Sequence, residues 1–164
     1  MSPMKTSAGL LLYRVREQRL EVLIAHMGGP FWANKDDGGW SIVKGEYDAE
    51  REDDAEREDA YAAARREFEE ETGSPAPDGE PLALGDVRQR GGKLVSVWAI
   101  ESDFDASRID GNTFTIEWPR ASGRERQFPE IDRAGWFDCE TARAKLVGGQ
   151  VAFVDALEQR LRDA

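Results

Sequence analysis

Apolar positions run almost unbroken from Ser7 to Val15 and return from Leu20 to Ala25, with only Arg16-Glu17-Gln18-Arg19 between them. Two short apolar runs joined by so brief a polar link predict a β-hairpin. The stretch from Met27-Gly28-Gly29-Pro30 through Asp36-Asp37-Gly38-Gly39 is rich in chain breakers and predicts a loop, although it carries Phe31, Trp32 and Lys35. Trp40-Ser41-Ile42-Val43 reads as a short strand leading into Lys44-Gly45-Glu46. From about Asp54 to Thr72 the pattern changes to helical spacing, with Tyr61, Ala64, Phe68 and Thr72 on one stripe. Gly73-Ser74-Pro75 ends it, because glycine suits a left-handed cap and proline cannot continue a helix.

Beyond a Pro/Gly/Asp loop at Pro75 to Pro81, β-like segments follow at Leu84 to Gln89 and Lys93 to Ile100, split by Gly91-Gly92. A further strand is predicted at Thr113 to Trp118, and a last one at Ala134-Gly135-Trp136-Phe137. Asp138 is placed to cap a helix through about Leu146. Val151, Val154, Leu157 and Leu161, three or four apart, predict a C-terminal amphipathic helix. No segment marks a second domain, and the length suits one domain, residues 1–164, with a real core.

The central helix carries the candidate chemistry. It ends in Arg66-Glu67-Phe68-Glu69-Glu70-Glu71-Thr72-Gly73, and residues three and four apart are neighbours on a helix, so Glu67, Glu70 and Glu71 share a face. Three carboxylates so placed repel one another unless a cation joins them. An acidic run is most often a solvated face. Here the acidic face also carries the small residues Ala60 and Ala63 and lies about 100° round the helix from the Phe68 stripe. One face is thus free to pack while the other lines a cleft. Carboxylate oxygens suit Mg²⁺ or Mn²⁺, and Mg²⁺ commonly takes remaining ligands from substrate phosphates.

Charge sharpens this picture. The formal net charge of −11 disfavours nonspecific attraction to nucleic acid or an anionic membrane. An acidic protein acting on phosphates needs local cations, which metal would supply. Cys139 is the only cysteine, so an internal disulfide is excluded and a reducing compartment is matched. Without a long apolar run or a signal-like start at Met1-Ser2-Pro3-Met4, the expectation is a soluble cytoplasmic protein.

Residues 45–74 resemble the Nudix box, G-x5-E-x7-R-E-U-x-E-E-x-G-U with U a bulky apolar residue. Arg66-Glu67, Glu70-Glu71, the apolar Phe68 and the closing Gly73 fit, and the x7 spacing reaches back to Glu58. Ser74 departs from the last apolar position, and Gly45 lies seven residues too far from Glu58. The excess has a visible source: Ala49-Glu50-Arg51-Glu52-Asp53 recurs as Ala55-Glu56-Arg57-Glu58-Asp59, a short tandem duplication that leaves an inserted acidic loop at about 48–54. Lengthening a surface loop adds little closure entropy. Either Glu58, whose register to the helix is intact, or Glu52 fills the first glutamate. Trp40-Ser41-Ile42-Val43-Lys44-Gly45-Glu46 is similar to the family's W-x-x-P-K-G lead-in, with Val43 in place of the stiffer proline.

The resemblance implies the Nudix fold, an α/β/α arrangement of a mixed β-sheet sandwiched between helices. It also implies divalent cations held by Glu70 and Glu71, with Glu67 as a further ligand or general base and the Gly45 carbonyl assisting. Arg66, one turn before Glu70, is positioned to orient that carboxylate by a charge-assisted hydrogen bond. Glu130-Ile131-Asp132-Arg133-Ala134-Gly135-Trp136 is similar to a later E-x5-W segment by which some members add a carboxylate, which makes Glu130 a candidate ligand with Glu117 its competitor. For substrate contact, Lys44 beside Gly45 has the best claim. Trp32, Phe31 or Trp40 could stack on a base, and Lys35, Arg88, Arg90 or Lys93 could meet phosphates. Trp40 and Trp98 equally suit a core, and His26, closing a strand, is expected to be structural.

The activity implied is hydrolysis of a pyrophosphate bond in a nucleoside diphosphate linked to another moiety. The A-G-L-L-L-Y-R opening and W-S-I-V-K-G-E segment look most like short diadenosine tetraphosphate hydrolases, which favours a dinucleoside polyphosphate substrate. Nucleoside triphosphates, nucleotide sugars or ADP-ribose are the alternatives. A second class of reading is a nucleotide-binding sensor that has lost turnover, favoured only by Val43 and the acidic insertion; the intact Arg66, Glu67, Glu70 and Glu71 favour the enzyme.

Overall fold

In the computed structural model, which describes residues 6–47, 59–89 and 91–164, the N-terminal hairpin forms as its apolar pattern predicts. Strands β1 (Thr6–Arg16) and β2 (Arg19–Met27) pair antiparallel from Tyr13↔Val22 to Arg16↔Arg19. Their turn places Glu17 and Gln18 at φ 52° and 66°, the left-handed pair that a two-residue hairpin turn requires even without glycine.

Beyond this pairing the two strands splay, and the next segment fills the gap. The single strand expected at Trp40 to Val43 is in fact two: β3 (Trp40–Ser41) pairs with β2, and β4 (Val43–Tyr47) pairs with β1. Ile42 is the crossover, and a backbone N–H released there needs another acceptor. Gln150 supplies it, its Oε1 accepting from Ile42 N at 2.7 Å while its Nε2 donates to Ser41 Oγ at 3.0 Å.

The helix expected from about Asp54 is α1, Ala60–Thr72. It starts later because Asp59 is its N-cap, the carboxylate accepting from Ala62 N at 3.3 Å. Strands β5 (Leu82–Arg88) and β6 (Leu94–Glu101) follow, with β6 parallel to β1 and antiparallel to β5. β7 (Thr113–Glu117) pairs with β8 (Glu125–Pro129), a strand the sequence pattern does not announce, in a separate two-stranded sheet. β9 (Ile131–Asp138) is longer than the predicted Ala134–Phe137 because β2 pairs with it from Glu21 to Met27. Asp138 caps α2 (Cys139–Lys145), and a short 3-10 turn leads into α3 (Val151–Arg162).

Alternation along the strands gives the mixed seven-stranded sheet two apolar faces. Leu11, Tyr13, Val22, Ile24, Ile42 and Val97 meet Phe153, Val154 and Leu157 of α3, while Leu10, Leu12, Leu23, Val43 and Ile100 meet Ala63, Ala64 and Phe68 of α1. This is the α/β/α sandwich expected. Phe68 is wholly buried and lies edge-on to Phe104 at 5.3 Å. Truncating it leaves a cavity under the acidic helix, so Phe68→Ala should lower unfolding free energy by about 3–5 kcal/mol. Urea denaturation checks this; a loss below about 1 kcal/mol would mean that α1 is not seated by that ring.

Candidate active site

Packing of the Phe68 stripe turns the other face of α1 toward β4, where the absence of a side chain at Gly45 becomes decisive. A Cβ added there would sit 1.9 Å from Glu67 Oε2 and 2.2 Å from its carboxyl carbon. The Glu67 carboxylate occupies the space a side chain would fill, and Glu67 is 6% exposed. Arg66 Nη1 donates to Glu67 Oε1 at 3.0 Å and to both Glu70 oxygens at 3.1 Å, so one guanidinium orients two carboxylates.

The far end of α1 is fixed by backbone. Gly73 takes φ 75° and its N–H caps Glu69 O at 2.8 Å. Asp110 N donates to Thr72 O and Asn112 N to Glu70 O, each at 2.9 Å, while Asn112 O accepts from Glu130 N, also at 2.9 Å. Gly111 is drawn in so closely that a Cβ on it would lie 2.0 Å from Glu71 O. The Asp110-Gly111-Asn112 strap therefore sets Glu130 relative to Glu70 and Glu71. In sequence it is only a turn signal between two breakers; its function comes from a contact that spans about forty residues of chain.

Glu71, Glu130 and Lys44 line one cavity of about 180 Å³ with Met27, Ser41 and Val43. Glu117 does not join them; it accepts from Gly123 N at 3.3 Å near the outer end of the β7–β8 hairpin. Burial pushes the Glu71 carboxyl up to about 7, and Glu130, Glu67 and Glu70 push the same way against an opposing Lys44. Burial likewise brings the Lys44 ammonium down to about 8, helped by Lys93 and opposed by Glu46, Glu71 and Glu67. Lys93 itself pairs with Glu46 at 3.2 Å.

A second cavity, about 370 Å³, adjoins the first through Met27, Ser41 and Lys44, and is walled by Trp32, Gln89, Val147, Gly149 and Gln150. Lys35 stands with its Nζ 5.4 Å from the Trp32 ring. Gln89 and Gln150 have no sequence signal, since a lone amide before an apolar helix or after a strand looks like any surface residue. Trp40 is corrected: at 4% exposure it is core, its Nε1 donating to Asp36 at 2.8 Å and its ring meeting His26 and Phe137. Alternation at the β3–β4 crossover turns it away from the cavities. His26 is wholly buried, with Nδ1 2.8 Å from Asp132 and Nε2 2.7 Å from Lys35 O, and ties the Trp32 loop to β9. Arg88 contacts Gly92 O at 3.4 Å at its strand end. Glu52, Glu58, Arg90 and the acidic insertion lie outside the described residues.

The family model of the NUDIX domain matches residues 3–157. The chain belongs to the NUDIX family. Comparison with curated protein sequences found no match. Among solved structures, the NUDIX domain of Shewanella oneidensis NrtR complexed with ADP ribose is 16% identical, with 98% of this chain and 90% of that chain covered at a TM-score of 0.63. A C. elegans Ap4A hydrolase binary complex is 19% identical, with 98% and 100% covered at a TM-score of 0.62. A mutT/nudix family protein from Listeria innocua is 18% identical, with 99% and 97% covered at a TM-score of 0.62. At these identities the structures speak to the Nudix fold. Family membership makes the chain a Nudix pyrophosphohydrolase, acting on pyrophosphate bonds in nucleoside diphosphate derivatives.

Nudix hydrolases generally use divalent ions. Among the described residues no three acidic side chains are gathered tightly enough to chelate an ion as they stand. The donors nevertheless fit one, being hard carboxylate oxygens, with Glu71 and Glu130 lining one cavity and burial, then the neighbouring carboxylates, raising Glu71 to about 7. A carboxyl whose folded pKa is raised favours folding below its unfolded value of about 4.5 and loses that contribution as pH rises to about 7. In the metal-free protein, Glu71→Gln should therefore flatten the fall in Tm between pH 5 and pH 8 and raise Tm at pH 8. Calorimetry in chelator checks this; an unchanged slope would remove the strained carboxylate.

Proposed function

We propose that this Nudix hydrolase cleaves a dinucleoside polyphosphate, binding one nucleoside in the Trp32 cavity and drawing the phosphate chain past Lys44 to the acidic face of α1. The observation that carries the reading is the continuity of the two cavities, which share Met27, Ser41 and Lys44 and together run from an aromatic wall to Glu71 and Glu130. An aromatic face, amide side chains and a lysine are groups that suit a base and the phosphate next to it. In this reading the whole chain is one Nudix domain.

Glu70 and Glu71, with Glu67, Glu130 and the Gly45 carbonyl, are assigned to Mg²⁺ or Mn²⁺. When bound, the ion supplies charge neutralisation at the phosphoryl oxygens and a lowered water pKa. The chain's own residues do the rest. Arg66 holds Glu67 and Glu70 in fixed orientation, and Glu71, as its carboxylate, would be a ligand to the ion. Lys44, as ammonium, meets the phosphate chain where the cavities join. Glu67, buried against Gly45, serves as ligand or as base toward the attacking water.

A mass-spectrometric product screen tests this, with Mg²⁺ or Mn²⁺ and a panel of dinucleoside polyphosphates, nucleoside triphosphates, nucleotide sugars, NADH and ADP-ribose. Dinucleoside polyphosphates should turn over best, and Glu70→Gln should lower the rate by roughly 100-fold or more. Turnover confined to another class would replace the substrate assignment. No metal-dependent turnover with retained nucleotide binding would favour a sensor.

A further inference from the structure

The β7–β8 hairpin stands off the main sheet and both of its stems are tied to the candidate active site, through Asn112 to Glu70 O and through Glu130 to Asn112 O. Its register pairs Phe114 with Phe128 and Ile116 with Arg126, and Trp118 N donates to Arg124 O. Opposed residues share a face, so Phe114, Ile116, Trp118, Arg124, Arg126 and Phe128 lie on one side, with Thr115, Glu117, Glu125 and Gln127 on the other. The aromatic side is turned to the loop that carries Trp32. Phe114 lies so close over Gly29 that a Cβ there would be 2.6 Å from its ring, and Trp118 meets Phe31 edge-on at 5.6 Å.

Two observations on this face call for a ligand. Phe31 is 65% exposed, one of two large apolar side chains so exposed among the described residues, and it adjoins Trp32 of the nucleoside cavity. In a chain of net charge −11, the segment 120–126 holds Arg120, Arg124 and Arg126 against a single Glu125. Arg126 is exposed and lies 5.6 Å from the Phe128 ring. One exposed aromatic, Phe31, beside the half-buried Phe114, Trp118 and Phe128 and the exposed Arg126, offers a ring face and a cation of the kind that suit a stacked base and its adjoining phosphate. Five-residue strands carry this face roughly 17 Å outward from Glu130.

We infer that the aromatic and arginine face of the β7–β8 hairpin, with Phe31, is a second nucleoside subsite that holds the distal base and neighbouring phosphates of the substrate. The inference rests on the dinucleoside polyphosphate reading. It makes the hairpin the element that separates a dinucleoside from a mononucleoside substrate.

Binding of hydrolysis-resistant analogues separates the two claims. Methylene-bridged dinucleoside tetraphosphate and the matching mononucleoside tetraphosphate are titrated calorimetrically in Mg²⁺ against the full chain, Phe31→Ser and Arg126→Ala, both at exposed positions. The wild type should bind the dinucleoside about tenfold or more tightly than the mononucleoside, and each variant should shrink that ratio while leaving mononucleoside affinity within about twofold. Equal affinities in the wild type, or variants that keep the ratio or weaken both ligands alike, overturn the second subsite and leave the first standing. Binding of neither ligand by the wild type overturns the dinucleoside reading and the subsite with it.

Discussion

The contact on which the rest of the site depends is the approach of the Glu67 carboxylate to Gly45. The Glu67 carboxylate lies against β4 in space that a side chain would otherwise fill, a Cβ at Gly45 falling within 1.9 Å of Glu67 Oε2. Burying a carboxylate is unfavourable unless its oxygens are paired. Arg66 meets that need and spans to Glu70, so the same guanidinium that makes Glu67 tolerable orients the next acid along the helix. Packing, charge compensation and the geometry of the acidic face are one arrangement seen from three sides.

Two further devices extend it into a cleft. The crossover at Ile42 lets one short segment bridge the splayed β1 and β2, and the buried Gln150 satisfies the backbone there. That crossover sends Trp40 and Ile42 into the α3 side of the sheet and Val43 to the α1 side, which leaves Lys44 at the junction of the two cavities. The Asp110-Gly111-Asn112 strap does the equivalent work on the other bank, joining the last carbonyls of α1 to Glu130. Stability here is directed at positioning like charges, and Glu71 is raised to about 7 first by burial and then by Glu130, Glu67 and Glu70.

Much of this was legible in the sequence because it is local. The hairpin, the Phe68 stripe, the Asp138 cap and the C-terminal helix follow from periodicity and capping, and all are present. Lys44, Glu71 and Glu130, each singled out along the chain, line one cavity. What was not legible depends on contacts distant along the chain. Trp40 reads equally as base platform or core, and only the crossover decides for core. β8 carries no core-facing apolar run because it pairs off the main sheet, and Gln150 and Gly111 gain meaning only from Ile42 N and Glu71 O. The late start of α1 reflects Asp59 winning the cap within an acidic run that offers many.

In the proposed function, the Gly45–Glu67 contact builds a divalent-cation site on α1. Titration of Mn²⁺ followed by electron paramagnetic resonance, on the wild type and on Gly45→Ala with matching circular dichroism, tests it most directly. The wild type should sequester Mn²⁺, and Gly45→Ala, by displacing Glu67, should weaken binding by about tenfold or more. A wild type that leaves Mn²⁺ free, or a folded Gly45→Ala with undiminished affinity, would contradict this reading.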